Sequence, residues 1–207
     1  MGSRNGAIAV AAFGLLVLGF AAGLTLFVFR IANHDENPEA PGKKSYKAAE
    51  QVIDATKAYT ATVETNRGTF TLELLADQSP KTVNVFVFLA RERFWDGLRF
   101  HRVVANFVAQ TGDPTGDGTG GAGFETEQEA NAMKNVRGTV AMARAAGSTK
   151  FGSQWFINLS DNPNLDVEAP RQKPFYPFAR VTSGMDVVDR LNQGDRIVRV
   201  TIEERAR

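Results

Sequence analysis

The sequence contains no cysteine and only two histidines. The absence of cysteine excludes a disulfide scaffold, a thiolate nucleophile, an iron–sulfur cluster and a zinc site built on thiolates. A helical two-histidine zinc site needs imidazoles four residues apart, whereas His34 and His101 lie far apart in the chain. A bound metal is therefore not expected, and metal-assisted hydrolysis is disfavoured as the reaction.

The chain also has little net charge, because 24 Lys and Arg oppose 23 Asp and Glu. A nearly balanced surface supplies no general field that attracts phosphate groups, so nucleic acid is not expected as a partner. Domains average about 150 residues, and a chain of 207 residues therefore accommodates one folded unit and an appendage.

One apolar run is long enough to be a membrane span. Residues 7–29 carry no charge, and at about 1.5 Å per residue their helix would cross a hydrocarbon core of about 30 Å. We predict a tail over 1–6 and a transmembrane helix over 7–31 in the lipid bilayer. A cleavable signal peptide would have a shorter apolar region, and a buried core helix is the other alternative. Gly19 and Gly23 form a GxxxG pair that is compatible with a weak homodimer.

Residues 32–58 mix charges of both signs with prolines and contain few large apolar side chains. This composition is typical of a solvated linker, and we predict a flexible tether between the membrane helix and the domain. Tyr46, Ala49 and Ile53 fall at helical spacing, so a short helix next to the domain is the alternative.

From residue 59 onward the pattern is one of short strands. Residues 60–65 and 69–74 alternate in polarity around a turn, which predicts a hairpin, and an amphipathic helix begins at Ser79 and Pro80. Many short strands with two helices and no βαβ series predict a closed antiparallel barrel or a sandwich over 59–207. The remaining predicted elements are apolar runs at 99–104, 107–110, 139–143, 155–159 and 178–181, a second helix over 185–191 and a last strand over 196–202.

Arg102 and Gln110 are candidate functional residues, because strand alternation places them beside the apolar Phe107 and Val108. Apolar pockets that hold a few polar groups are typical binding sites. The alternative is an ordinary surface arginine whose stem lies along the sheet, with His101 as a structural imidazole.

Two other motifs carry less weight. Residues 116–121 are rich in glycine, but no βαβ unit surrounds them, so a surface loop that needs backbone freedom is predicted in place of a nucleotide site. Ser153, Ser160 and Asp161 lack the G-x-S-x-G elbow of a serine hydrolase, and no triad with His101 is expected.

Four separated motifs together resemble the cyclophilin family. They are FHRVVANFVAQTGD at 100–113, GTGG at 118–121, MARA at 142–145 and GSQWFIN at 152–158, and the likeness extends over residues 59–204. The resemblance implies a peptidyl-prolyl cis-trans isomerase without metal or cofactor, acting on proline-containing unfolded or extended polypeptides. It also implies a closed eight-stranded antiparallel β-barrel capped by two α-helices, with the substrate groove on the outside of the sheet.

The resemblance further implies roles for individual residues. Arg102 takes the place of the catalytic arginine, Gln110 would hydrogen-bond the substrate backbone, and Gln154 would support the arginine. The wall of the proline pocket would consist of Phe107, Val108, Phe156 and Leu165, with His101 lining the pocket and the main chain of Ala143 and Arg144 facing the residues before proline.

Several positions depart from the pattern of many family members. Arg144 stands where Asn is common, and Asn164 replaces an indole that the inhibitor cyclosporin contacts, which leaves cyclosporin sensitivity open. A His expected near the end of the segment 167–177 is replaced by Phe175 or Tyr176, and either is a candidate to line the groove. Bacterial cyclophilins vary at such places and carry a similar MARA element, so the resemblance implies a bacterial protein.

The implied reaction needs no nucleophile, acid or base. An X-Pro amide resists rotation by about 20 kcal/mol because its nitrogen lone pair is delocalised, and a guanidinium directed at that nitrogen stabilises the pair only once it has localised. We expect an isomerase that assists folding near a bacterial cell membrane. Its catalytic domain is expected on the extracytoplasmic side, although the count of Lys and Arg around the helix favours the cytoplasm. The alternatives are a proline-peptide binding module or chaperone with incidental isomerase activity, and a structural membrane protein that keeps the barrel for assembly.

Overall fold

The computed structural model describes residues 44–146, 148–166 and 174–207. These residues form an eight-stranded antiparallel sheet, a separate two-stranded sheet and two helices. The strands and helices predicted within residues 59–207 all overlap observed ones, whereas the two-residue strands at 126–127 and 150–151 were not predicted. The elements are β1 (Ala58–Thr65), β2 (Gly68–Leu74), α1 (Pro80–Arg91), β3 (Arg102–Val104), β4 (Val108–Thr111), β5 (Thr126–Glu127), β6 (Thr139–Met142), β7 (Lys150–Phe151), β8 (Trp155–Asn158), a 3-10 turn (Pro163–Leu165), β9 (Pro177–Ser183), α2 (Met185–Asp189) and β10 (Ile197–Arg205).

The predicted membrane helix over 7–31 lies outside the described residues, together with the tail over 1–6 and the Gly19 and Gly23 pair. Among the helices that the structure does describe, none is long and apolar enough to cross a bilayer.

The hairpin of β1 and β2 follows from the alternation of its side chains. Every second residue of β1 is buried, and the register places Ala61 opposite Leu72 and Val63 opposite Phe70. Gly68 closes the turn with a φ of +126°, which a residue with a Cβ rarely adopts. The hairpin therefore presents one apolar face to the interior of the sheet.

The sheet is curled but open, so the closed barrel is a prediction that the described residues do not bear out. Its strand order is β10-β1-β2-β9-β6-β8-β4-β3, and no ladder joins the edge strands β3 and β10. The segment before β3 lies along this gap instead, where an isolated bridge joins Arg99 to Arg196 and the Gly97 N–H donates to Ile197 O at 2.8 Å.

Aromatic side chains fill the interior of the curled sheet. The ring of Phe86 on α1 has its centroid 4.5 Å from Trp95, 5.8 Å from Trp155 and 5.3 Å from Phe178. Large aromatic rings bury much apolar area per residue, so this cluster is the main hydrophobic core of the domain.

Helix α1 is buried on more faces than its sequence indicates. Val83, Phe86, Val87 and Ala90, which form the apolar stripe of the predicted amphipathic helix, belong to the interior core, yet all residues from 82 to 90 are buried. A second layer must therefore cover the other side of the helix.

Residues 44–57, which we term the N-terminal strap, supply that second layer. The Val52 and Ile53 N–H groups donate to Asn84 Oδ1 at 2.8 and 3.3 Å, and Asn84 Nδ2 donates to Glu50 O at 2.8 Å. The carboxamide of Asn84 thus replaces the strand partner that an extended segment would otherwise need.

Aromatic packing fixes the N-terminal strap at its other end. The ring of Tyr46 lies edge-on to Phe88 at 5.2 Å and tilted against Phe94 at 6.4 Å. Residues 44–57 of the tether predicted over 32–58 thus pack against the domain and form no helix, and residues 32–43 lie outside the described residues. The physical reason is that the outer face of α1 offers the strap apolar contacts and hydrogen bonds that composition alone does not reveal.

The start of α1 is also decided by distant residues. Ser79 occupies the predicted N-cap position before Pro80, but its side chain makes no capping hydrogen bond. Instead the Thr82 N–H donates to Glu129 Oε2 at 3.1 Å, and Ser79 Oγ accepts from Asn131 Nδ2 at 2.9 Å. A carboxylate at a helix N-terminus is stabilised by the helix dipole, so Glu129 performs the capping role expected of Ser79.

Candidate active site

Strand alternation sorts the residues of β4 and β8 between the two faces of the sheet. Ala109 and Ile157 belong to the interior aromatic core, whereas Val108 and Phe156 belong to a second apolar cluster. We call this second group the outer cluster; its buried members are Val108, Ala141, Ala143, Phe156 and Leu165, with Phe107 and Phe175 packed against it.

The register of four strands aligns the candidate residues in a single cross-strand row. Arg102 on β3 pairs with Gln110 on β4, Gln110 pairs with Phe156 on β8, and Phe156 pairs with Ala141 on β6. Directly opposed residues of an antiparallel ladder have Cβ atoms about 5 Å apart. The guanidinium, the amide and the ring that the sequence places far apart are thereby brought to one site.

A cavity of about 290 Å³ opens at this row. Its floor is apolar, because Val108, Phe156 and Leu165 are each buried, and its rim carries polar groups. Apolar cavities with a few placed polar groups are the usual form of small ligand sites. The full lining is Arg102, Phe107, Val108, Gln110, Ala143, Arg144, Phe156, Asn164, Leu165 and Phe175.

Arg102 stands at the rim of the cavity. Its Nη1 atom donates to Gln110 Oε1 at 3.4 Å, and its Cζ lies 5.5 Å from the centroid of the Phe107 ring. Within the described part of the chain, no carboxylate forms an ion pair with this guanidinium. Its positive charge therefore remains available to a ligand in the cavity.

A relay of amides holds Gln110 in place. Gln110 Nε2 donates to Gln154 Oε1 at 3.0 Å, and Gln154 Nε2 donates to Gly118 O at 3.0 Å and Gly120 O at 2.9 Å. Gln154 thus supports Arg102 through Gln110, and it lies behind the cavity without lining it.

The glycine-rich loop at the end of this relay is held by two aspartates. Burial raises the pKa of Asp113, but hydrogen bonds from Thr115 and Gly118 lower this pKa by a larger amount, so the net shift is downward. Hydrogen bonds from Thr119 and Thr115 lower the pKa of Asp117 to about 2. Both side chains are therefore ionised near neutral pH and fix the loop whose carbonyls hold Gln154.

Of the two candidates Phe175 and Tyr176, Phe175 lines the cavity and Tyr176 does not. Its ring meets Phe156 edge-on at 5.5 Å and lies beneath the guanidinium of Arg144, whose Cζ is 4.3 Å from the ring centroid. Arg144 Nε also donates to Gln128 Oε1 at 3.0 Å. Burial lowers the pKa of Arg144, and the electrostatic interaction with Tyr176 partly offsets this lowering.

Nine of the twelve predicted site residues line the cavity, and His101, Gln154 and Tyr176 do not. His101 precedes Arg102 and is partly buried. Burial lowers the pKa of its imidazole, and the nearby carboxylate of Asp113 partly offsets this effect.

Only one of the two main-chain polar groups of Ala143 is left for the predicted contact with substrate. Its N–H already donates to Gln154 O at 2.8 Å, which leaves the Ala143 carbonyl for a ligand. Asn164 lines the cavity but was noted in the sequence only as a departure from the family pattern. The signal that could have identified it is its position immediately before the pocket residue Leu165.

Comparisons with known proteins identify the class of protein that this site belongs to. The family model described as cyclophilin type peptidyl-prolyl cis-trans isomerase/CLD matches residues 60–205. A crystal structure of a Cryptosporidium parvum cyclophilin type peptidyl-prolyl cis-trans isomerase, in the presence of the dipeptide Ala-Pro, is similar with a TM-score of 0.62 and 26% identity, covering 70% of this chain and 98% of that chain.

Curated bacterial relatives agree. The chain is 44% identical over 158 residues to a peptidyl-prolyl cis-trans isomerase of Helicobacter pylori, covering 74% of this chain and 91% of the relative. It is 39% identical over 142 residues to a peptidyl-prolyl cis-trans isomerase of Synechococcus elongatus, covering 69% and 94%. The chain belongs to the cyclophilin type peptidyl-prolyl cis-trans isomerases, so the predicted family and enzymatic activity are confirmed.

Proposed function

We propose that the cavity holds the ring of a substrate proline and that Arg102 stabilises the X-Pro bond midway through its rotation. The observation that carries this proposal is the cross-strand row, which places one guanidinium without a carboxylate partner at the rim of the apolar outer cluster. Unfolded or extended polypeptides that contain proline are the corresponding substrates.

The chemistry follows from the electronic structure of the amide. Rotation about the C–N bond costs about 20 kcal/mol because it breaks the resonance between the nitrogen lone pair and the carbonyl. At the midpoint the lone pair is localised and becomes a hydrogen-bond acceptor. A donor on Arg102 gains this partner only at that stage, so it binds the transition state more strongly than either ground state.

The rest of the cavity holds the two sides of the rotating bond. Val108, Phe156 and Leu165 grip the ring, while Gln110 and the Ala143 carbonyl hold the neighbouring peptide groups. Fixing one side lets the other side turn without the entropic cost of a free encounter. No proton transfer occurs, so no residue of the site has to act as an acid or base.

The test compares two arginines of the full chain on an X-Pro peptide, with exchange NMR as the readout. We expect Arg102→Ala to lower kcat/KM at least about tenfold, which corresponds to about 1.4 kcal/mol of transition-state stabilisation. Arg99→Ala is the matched control, because Arg99 precedes the same strand but lines a different cavity. Equal rates for Arg102→Ala and the wild type would remove Arg102 from the mechanism.

The same assay separates catalysis from a binding or assembly role. A chain that binds the peptide without accelerating exchange would be a proline-peptide binding module or chaperone. A chain that neither binds nor turns over the peptide would keep this fold for assembly alone.

We propose in addition that the enzyme is a single-pass membrane protein whose domain works on the extracytoplasmic side of a bacterial cell membrane. The uncharged run at 7–29 supports this proposal, since it is long enough to span a bilayer. A reporter joined after Arg207 that is active in only one compartment tests the orientation. Activity of a cytoplasmic reporter would show the opposite orientation. Release of the chain from membranes by alkaline carbonate would show that residues 7–29 do not span the bilayer.

A further inference from the structure

Three asparagines, Asn135, Asn158 and Asn162, lie behind the outer cluster, and each is at most 4% exposed. None of them lines the cavity. We propose that Asn158 is a positioning residue whose carboxamide, acting through Asn135 and Asn162, fixes the main chain of Phe107, Leu165 and Phe175 around the proline ring. This inference rests on the proposed function, because it assumes that the ring is bound in this cavity.

Asn158 is the centre of the network. It ends β8, two residues after Phe156 on the same face of the sheet. Its Nδ2 donates to Asn135 Oδ1 at 3.2 Å and to Thr139 Oγ1 at 2.9 Å, while its Oδ1 accepts from Asn162 Nδ2 at 2.8 Å. Both ends of the carboxamide are thereby occupied, and the direction of each hydrogen bond is set.

Asn162 carries the connection to two walls of the cavity. Its Nδ2 donates to Phe107 O at 3.0 Å as well as to Asn158. Its own carbonyl accepts from the Leu165 N–H at 2.9 Å and so starts the turn that places Leu165. The Asn162 N–H donates to Asn135 O at 2.7 Å, which closes the network on itself.

Asn135 carries the connection to the third wall. Its Nδ2 donates to Phe175 O at 2.9 Å and to Asp166 Oδ1 at 3.0 Å. Asp166 follows Leu165 directly and also accepts from the Asn135 N–H at 2.7 Å. The Phe175 N–H donates in turn to Leu165 O at 2.9 Å, so that two walls are joined to each other as well as to the network.

The physical need for this network lies in where the walls come from. Phe107 precedes β4, Leu165 ends the 3-10 turn and Phe175 precedes β9, so none of the three lies within a strand. Phe107 O accepts one main-chain hydrogen bond, from the Leu159 N–H at 2.8 Å, and the Asn162 side chain adds a second. The placement of the three walls therefore depends on side-chain hydrogen bonds as well as main-chain ones, and in a buried, low-dielectric region an unmet partner is costly. Removing the Asn158 carboxamide leaves Asn162 Nδ2 and Asn135 Oδ1 each without one partner.

The test uses the full chain and a matched pair of buried asparagines. Asn158→Ala is compared with Asn84→Ala, which also removes three hydrogen bonds but acts on the N-terminal strap, remote from the cavity. We expect Asn158→Ala to raise both the Kd and the KM of an Ala-Pro-containing peptide about tenfold, with kcat changed less than about threefold. Asn84→Ala is expected to leave Kd and KM within about twofold of the wild type while losing comparable stability.

Two results would overturn the proposal. One is wild-type Kd and KM in folded Asn158→Ala; the other is an equal weakening in Asn84→Ala, which would indicate general softening of the fold. If Asn158→Ala fails to fold, Asn162→Ala gives the same comparison, since it loses the bond to Phe107 O but keeps that between Asn158 and Asn135. Failure of the proposed function is recognised separately, as absence of turnover by the wild type, and the Kd comparison still tests the network in that case.

Discussion

The two faces of strand β8 have different roles in this isomerase: one packs in the core and the other lines the cavity. Trp155 and Ile157 point into the interior core, where aromatic rings close every side. Phe156 points outward, as a floor of a cavity that remains open at its rim. Both faces are apolar and both are buried, so burial does not distinguish them. The difference is that the interior is filled by the protein itself, whereas the outer cluster leaves room for another molecule.

The largest expected effect comes from breaking the interior. Phe86→Ala removes the ring that packs against Trp95, Trp155 and Phe178, and we expect it to lower the free energy of unfolding by about 3–5 kcal/mol. Denaturant unfolding measures this loss. The peptide Kd of the fraction that remains folded should stay close to that of the wild type, and a large change in that Kd would show that the two faces are coupled.

A second substitution breaks the outer cluster. Phe156→Ala should raise the Kd for a proline-containing peptide at least about tenfold, or about 1.4 kcal/mol, because it removes the central ring of the cavity floor. We expect a smaller loss of stability than for Phe86→Ala, since water can enter the enlarged cavity from its open rim. Isothermal titration and denaturant unfolding of the same variant give both quantities.

The neighbouring residue is the control for this experiment. Ile157→Ala changes the inner face of the same strand, and it should cost stability while leaving the peptide Kd within about twofold of the wild type. An unchanged Kd for Phe156→Ala, or a tenfold change for Ile157→Ala, would show that the faces have been assigned incorrectly.

The smallest expected effect concerns pH and distinguishes His101 from Arg102 beside it. Burial lowers the pKa of His101 below its ordinary value of 6.5, so the unfolded chain binds more protons than the folded one between these two pKa values. The stability contributed by neutral His101 is fully present above pH 6.5 and is lost as the pH falls through this window toward the lower folded-state pKa. Denaturant unfolding from pH 7.5 downward should show this loss in the wild type and a flatter profile in His101→Asn.

The activity of the folded enzyme gives the contrasting measurement. Because His101 does not line the cavity, kcat/KM should change little over the same pH range. A steep change in kcat/KM that His101→Asn abolishes would place the imidazole in the site after all.

Much of the outer face was predictable from local patterns. The alternation of Val108 and Gln110 indicated which side chains share a surface, and the four cyclophilin-like motifs indicated what that surface does. The choice between Phe175 and Tyr176 was not predictable, because no strand period extends through the segment before β9. Nor were Asn135, Asn158 and Asn162, whose hydrogen bonds join residues far apart in the chain.

In the N-terminal strap, the sequence predicted less structure than the fold contains. Charged and proline-rich composition predicts a solvated linker, yet Ile53 is buried and Tyr46 partly buried against the domain, and Asn84 binds the strap backbone. Composition averages over a segment, whereas packing depends on a few side chains that find a complementary surface. Asn84 itself reads as an ordinary polar residue on the exposed side of an amphipathic helix.

The sequence by itself determined the periods of this protein: the two-residue alternation of its strands, the helical stripe of α1 and the motifs of its family. These are local properties, because each depends on the geometry of a few consecutive residues. Only the tertiary structure decided the register that aligns Arg102 with Phe156, the open edge between β3 and β10, and the covering of α1 by the strap. Those features depend on which distant segments meet, and their energies arise from contacts that no single stretch of the chain contains.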